Sequence, residues 1–229
     1  MAEFEIAEGR VLPAALRDKL LERGRRFHVR RNQVVVSAGE EADDVYLVID
    51  GVLQVSLMSA RGRELTFREI GAGALFGEMA AIERQPRSAT VTAMTDSTLA
   101  LIKSAAFLEF LENVPGAGLW LARELSSHLR ETTDDLFHLA TLPVHARVQC
   151  ELLRLAHLAG VADDHAEIAA APTHSAIAAR IGTHREAVTR ELGSLARLGI
   201  IAQRGRQLTV ISVDRLAGEV RRSTGDQGA

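Results

Sequence analysis

The feature that most limits the fold is a change of period at mid-chain. Short β-rich runs occupy 34–36, 45–49, 53–57, 65–70, 90–93 and 98–103, whereas nearly everything after Ser104 follows helical spacing. The runs are punctuated by Ala38-Gly39-Glu40, Asp50-Gly51, Arg61-Gly62-Arg63 and Gly71-Ala72-Gly73, the turn chemistry of closely packed antiparallel strands. The first part therefore reads as an antiparallel β-roll or barrel. A helix over 13–24 precedes it, with Leu12, Leu16, Leu20 and Leu21 on one stripe.

Ser104 is placed to cap a helix that runs to Glu112 and is stopped by Asn113-Val114-Pro115. A longer helix follows over about 116–142. Leu119, Ala122, Ser126, Leu129, Thr133, Leu136 and Ala140 recur along it at heptad-like spacing, with Leu121, Leu125 and Leu139 on the neighbouring face. One helix has little need of so much apolar surface. Either its own β-roll covers the stripe or a symmetric partner does, and the length of the stripe favours the partner. Pro143 ends the helix and makes a natural hinge.

Beyond it, helices are predicted over 144–159, 173–181 and 184–198, with a polar loop at Asp163-Asp164 after the first. Gly182-Thr183 gives the last two a helix-turn-helix spacing. A small hairpin follows, 200–203 and 208–211 around Arg204-Gly205-Arg206, in the position of a wing. The expected class is α+β: an N-terminal, jelly-roll-like β-roll, a long dimerisation helix and a C-terminal winged helix-turn-helix, as domains 1–115, 116–142 and 143–229.

Charge supports that division. The chain of 229 residues carries a net charge of −3, which taken whole argues against a polyanionic partner. Yet between Pro172 and Arg222 nine arginines face four acidic residues, so the C-terminal part suits double-stranded DNA. Met1–Arg10 lacks the character of a signal peptide and no apolar run approaches a membrane span, so a cytoplasmic protein without membrane contact is expected. The single cysteine, Cys150, permits neither an internal disulfide nor an iron–sulfur cluster and is expected to pack as a small hydrophobe. No metal-ligand cluster and no nucleophile–base constellation argues for catalysis; a protein that is not an enzyme is expected.

The segment Phe76 to Ala89 holds one acid and one arginine at the ends of a short turn inside this apolar stretch. Arg87 offers a planar fork that meets two oxygens of a phosphodiester at once, and Ser88 adds a hydroxyl. Gly77 lets backbone approach a ligand, and the N–H groups after it, from Glu78 and Met79 onward, can form an anion-binding concavity. Glu78 would repel a phosphate and suits a ribose 2′-hydroxyl instead. Ala80, Ala81 and Ala89 leave room. The plain alternative is a surface ion pair between Glu78 and Arg87, of small value.

The spacing Phe-Gly-Glu followed by Pro-Arg-Ser-Ala-Thr-Val resembles the phosphate-binding cassette of the cyclic-nucleotide-binding domain family, with Gly77, Glu78, Arg87, Ser88 and Ala89 on its signature positions. The order of β-roll, long helix and winged helix-turn-helix resembles the Crp/Fnr family of transcription regulators over roughly residues 12–216. That resemblance implies that Glu78 takes the ribose 2′-hydroxyl and Arg87 the cyclic phosphate. It also implies that Thr132 and Thr133 contact the adenine amino group from both subunits.

On the recognition helix, Arg185, Glu186, Thr189 and Arg190 share a face away from Ala187, Val188, Leu192 and Leu195. Arginine pairs with guanine O6 and N7 and glutamate accepts from a cytosine amino group, while Thr173 and Thr183 sit where helix starts can hold DNA phosphates. A solvated face with a Glu186–Arg190 pair is the alternative. Gly182-x-x-Arg-Glu-x-x-x-Arg190 resembles the recognition segment of the cAMP receptor protein branch, which implies that Arg185, Glu186 and Arg190 read the G·C pairs of a TGTGA-type half-site. His184, Ala187 and Thr189 depart from that branch, so the flanking-base preference is not carried over.

An Fnr-like sensor would need a cysteine cluster, and a haem sensor an axial ligand for which His28 is the sole histidine of the β-roll. A cyclic di-GMP-responsive relative would be expected to lose the hydroxyl pair and alter the cassette. The expectation is thus a homodimeric, cAMP-responsive transcription factor on a two-fold symmetric operator, with RNA polymerase as a further partner. Its alternatives are a relative that responds to cGMP or to no nucleotide, and a pure ligand-binding module such as a kinase regulatory subunit.

Overall fold

In the computed structural model, which describes residues 11–60, 62 and 64–224, the strands and helices separate at the expected place. After α1 (Ala14–Leu21) come β1 (Gly24–Val29), β2 (Val34–Val36), β3 (Val45–Asp50), β4 (Leu53–Met58), β5 (Glu64–Ile70) and β6 (Leu75–Phe76). A short α2 (Glu78–Glu83) leads into β7 (Thr90–Ala93) and β8 (Ser97–Ile102). The strands form two antiparallel sheets of order β1-β8-β3-β6 and β2-β7-β4-β5. Of the Arg61-Gly62-Arg63 turn, both arginines lie outside the described residues; Gly62 adopts a positive φ of 73°.

Two apolar clusters fill this roll. Val29, Val36, Val48, Leu53, Ile70, Phe76 and Leu99 form one; Leu12, Leu20, Leu47, Ile102, Phe107, Phe110 and Trp120 form the other, beneath the helices. Three elements escaped the periodicity. β1 reads Gly-Arg-Arg-Phe-His-Val and buries little beyond Phe27 and Val29, β6 is too short to alternate, and α2 looked like a turn because two left-handed residues, Gly77 and Arg84, bracket it. Ser104 is also not the cap expected of it. Lys103 holds the N-cap position of α3 (Ser104–Asn113), and the Ser104 hydroxyl donates instead to Asp43 Oδ2 at 2.6 Å.

The long helix α4 spans Ala117–Thr141. Ala117, Trp120 and Leu121 are buried against the roll, whereas Leu119, Leu129, Leu136 and Leu139 are 58%, 70%, 64% and 44% exposed. The roll thus covers only one face of its first turns. The chain forms two compact units, one ending at Glu131 and the other beginning at Thr132.

In the second unit Pro143 is the N-cap residue of α5 (Val144–Ala159), and α6 (His174–Arg180) and α7 (Arg185–Arg197) follow. The wing, β10 (Ile201–Arg204) and β11 (Gln207–Val210), is joined by β9 (Ala166–Ile168) into a sheet of order β10-β11-β9. The sequence reading left β9 in a loop, because three residues with only Ala166 and Ile168 turned inward carry no legible period. It also missed α8 (Val213–Thr224), where Val213 and Leu216 are the buried apolar residues among charged ones. Cys150 is half-buried on α5, and burial pushes its thiol up.

Asp164 fastens α8 to the rest. Its carboxylate accepts from the Ser212 hydroxyl at 2.6 Å and from the Asp214 N–H at 2.7 Å, and these bonds hold its pKa below the usual carboxylate value. A lowered pKa gives stability that is present above the unfolded-state value and lost as pH falls through the folded one. Asp164→Ala is therefore expected to lower the melting temperature of the C-terminal unit at about pH 7, with the difference from the parent shrinking toward about pH 3 in thermal melts followed by circular dichroism.

Candidate functional site

The cassette is built around a buried guanidinium. Arg87 is 4% exposed; its Nη1 donates to the Gly77 carbonyl at 3.0 Å and its Nη2 to the Asp44 carbonyl at 2.6 Å. Tyr46, stacked on Phe76 at 4.9 Å, presents its ring 5.7 Å from Arg87 Cζ. The Asp44 carboxylate does not pair with Arg87, because it accepts from Lys103 Nζ at 3.1 Å. Two carbonyl dipoles and a ring face satisfy donors without cancelling the charge. Arg87 Nε is buried without a hydrogen-bond partner among the described residues. This corner can accept an anion.

Gly77 is required here twice over. Its φ of 85° belongs to the left-handed region, and a Cβ on it would stand 2.6 Å from Arg87 Nη1 and 2.9 Å from the Asp44 carbonyl. Arg87 is drawn in from the other side by its backbone, which donates to Glu40 O and accepts from Gly39 N. Ser88 is exposed beside it, and its hydroxyl lies 3.8 Å from Met79 Sδ. Met79 is itself 43% exposed.

Glu78 is 6% exposed, and no ion pair joins it to Arg87 among the described residues. The surface-pair alternative therefore fails, since both charges are buried and each has other neighbours. Burial pushes the Glu78 carboxyl above its ordinary value; its own backbone N–H, Arg68 and His128 oppose that rise, and Glu124 adds to it. Arg68 on β5 meets His128 Nε2 on α4, and that nitrogen also faces Glu124 Oε1 at 2.9 Å. Sequence reasoning missed Asp44, Tyr46, Arg68 and His128. One signal for Arg68 was available: it is a cation two residues before the buried Ile70, and the two share a face of β5. Thr132 and Thr133 are exposed on α4 and belong to the other unit. His28, the residue weighed for haem, is exposed with Nδ1 3.0 Å from the Thr98 hydroxyl.

In the second unit Val188, Leu192 and Leu195 are buried and Ala187 half-buried, while Arg185, Glu186 and Arg190 are exposed on α7 with no Glu186–Arg190 pair among the described residues. α7 begins at Arg185, with His184 as an extended N-cap residue, one position later than expected. Thr189 is exposed but engaged: its hydroxyl donates to Arg185 O at 3.0 Å and stands 2.8 Å from His174 Nδ1. Thr173 caps α6 by accepting from the Ala176 N–H at 3.1 Å, and Thr183 lies in the turn, its N–H donating to Ala178 O. A chain of side chains fixes α7 from behind, from Ser223 to Gln149 at 3.1 Å and from Gln149 to Glu191 at 2.7 Å. The exposed face of α7 is thus held on a rigid support.

Residues 26–114 match the cyclic nucleotide-binding domain model and residues 146–218 the Crp-like helix-turn-helix domain model. The transcriptional regulator SdrP of Thermus thermophilus is 31% identical over 159 residues, 69% of this chain and 75% of that one. The chain belongs to the Crp/Fnr family. As a Crp-family member it is a DNA-binding transcription regulator with a cyclic-nucleotide-binding domain, in a family of regulators and not of enzymes. The CRP-like cAMP-activated global transcriptional regulator of Mycobacterium tuberculosis is 28% identical over 192 residues, 83% of this chain and 86% of that protein. Among solved structures, the c-di-GMP responsive global regulator CLP of Xanthomonas campestris aligns with a TM-score of 0.75 and 25% identity, over 86% of this chain and 98% of that one. Family members with this architecture thus differ in effector, and the cassette residues must decide it. Among the described residues no helix is long and apolar enough to cross a membrane.

Crowding at Gly77 gives a direct check on the site. Gly39 has nearly the same φ, 82°, but nothing within 4 Å of a built Cβ. Gly39→Ala is expected to cost about 1 kcal/mol in urea unfolding and Gly77→Ala about 2–3 kcal/mol, because only the second adds a clash with Arg87 to backbone strain.

Proposed function

We propose that this regulator binds cAMP in the Arg87 cassette, acts as a homodimer through α4, and reads a two-fold symmetric operator with TGTGA-like half-sites. The observation that carries the reading is the buried, uncancelled charge of Arg87 beside a glycine that leaves no room for a side chain. Gly77, Glu78, Met79, Arg87 and Ser88 make the ligand site, with Glu78 on the ribose and Arg87 on the cyclic phosphate. Thr132 and Thr133 contact the adenine, which favours cAMP over cGMP. The activation by cAMP in the name of the mycobacterial relative supports the same guest.

The exposed leucines of α4 support the dimer, since apolar surface of that extent is stable when a second copy covers it. Ligand binding that favours one helix register sets the two recognition helices about one DNA turn apart. Arg185, Glu186 and Arg190 read base edges; Thr173, Thr183, His184 and Thr189 position the helix on the backbone and flanking bases. In this division residues 1–115 sense, 116–142 dimerise and 143–229 bind DNA, in the cytoplasm and with RNA polymerase as a further partner.

One observation favours a second reading. Both Arg87 Nη groups already have carbonyl acceptors, which suits a regulator that binds DNA without a nucleotide. Operator binding measured with and without cAMP at fixed salt separates the two. cAMP is expected to tighten binding to a TGTGA-type site; unchanged affinity selects the second reading. In the same assay Arg185→Ala is expected to lose about 1–3 kcal/mol on the specific site and much less on random DNA, and equal losses would contradict the base-reading role.

A further inference from the structure

Thr189 lies on the exposed face of α7, one turn after Arg185 and next to Arg190, with a hydroxyl that is already engaged. A threonine hydroxyl has a single proton to give. Two acceptors stand close to this one: the Arg185 carbonyl at 3.0 Å, one turn back on α7, and His174 Nδ1 at 2.8 Å, on the first residue of α6. If Nδ1 carries a hydrogen, the hydroxyl donates to the Arg185 carbonyl and accepts from the ring, so both contacts are made. If Nδ1 is bare, the ring and the carbonyl compete for the same proton. In either tautomer none is left for a base. Guanine O6 and N7, adenine N7 and thymine O4 all need a donor, so the Thr189 hydroxyl reads none of them.

The residue is nonetheless exposed beside the three side chains proposed to read bases. Its oxygen is turned back along α7 and across to α6, and the half-buried His174 ring holds it from that second helix. The other group on the Thr189 Cβ is a methyl. Apolar contact with the C5-methyl group of thymine is the readout open to it.

Resting on the base-reading role of α7 stated above, we propose that Thr189 is a specificity-determining residue that recognises the C5-methyl group of one thymine in or beside the half-site. Its hydroxyl, tied to the Arg185 carbonyl and His174, takes no part in the reading. The flanking preference of this regulator is then for a methyl group and not for a hydrogen-bonding edge.

Fluorescence anisotropy of the full-length protein on a TGTGA-type operator, with cAMP present and at fixed salt, tests this. Each thymine of the half-site and its flanking base pairs, on either strand, is replaced in turn by deoxyuridine, which removes only the methyl group. In the parent at least one replacement is expected to weaken binding about three- to fivefold, the value of one methyl group taken out of water. At one such position Thr189→Ser, which keeps the hydroxyl and lacks the methyl, is expected to bind thymine and uracil alike. Thr189→Val, which keeps a methyl and lacks the hydroxyl, is expected to discriminate there as the parent does. Full discrimination by Thr189→Ser at every sensitive position, or its disappearance in a folded Thr189→Val, overturns the proposal. If Thr189→Val does not fold, Thr189→Ser decides alone. A parent indifferent to every deoxyuridine also overturns it, and the base-reading role of α7 stands if operator is still preferred to random DNA and Arg185→Ala removes that preference. A parent that binds operator and random DNA alike overturns the base-reading role and this proposal with it.

Discussion

The proposed ligand site of the N-terminal unit is arranged around the Arg87 guanidinium. A buried arginine must find acceptors, and here it finds two main-chain carbonyls and the face of Tyr46. The carboxylate nearest in sequence to one of those carbonyls, that of Asp44, is held by Lys103 instead. The donors are satisfied in part and the charge is not cancelled, which is the condition under which a buried cation attracts an anion. Had a carboxylate filled the same place, the fold would be as well held and the site electrically closed.

The same guanidinium is a structural clasp. Its two carbonyl partners lie in the turn after β6 and the segment before β3, so three separate parts of the chain converge on one side chain. Gly77 makes that convergence possible, since any Cβ would occupy the guanidinium's space. Glu78 follows at once as the first residue of α2 and is itself buried. The charges proposed for the phosphate and for the ribose hydroxyl, Arg87 and Glu78, thus come from one short segment of the chain.

Much of this was legible in the sequence because the relevant signals are local. Gly77, Glu78 and Arg87 lie close together in the chain, and the leucines of α4 and the buried Val188, Leu192 and Leu195 of α7 repeat at helical spacing. What could not be read are contacts set by topology. Asp44 reaches Arg87 through its carbonyl, which no side-chain pattern reports, and Arg68 reaches His128 across sixty residues of sequence. Ser104 misled because the helix already starts at it, with Lys103 in the N-cap position, and its hydroxyl donates to Asp43 Oδ2. β9 and α8 were hidden for a related reason, since each owes its place to the wing and to α5 and not to its own periodicity.

Central to the account is that Arg87 supplies the charge for a cyclic phosphate. Calorimetric titration of cAMP into the full-length protein and into Arg87→Leu tests that most directly. The account predicts a saturable heat with one site per chain in the parent and its loss in the variant, with the strand content of the variant unchanged by circular dichroism. Absence of heat in the parent at micromolar to millimolar ligand, or an Arg87→Leu protein that binds as well as the parent, would contradict it.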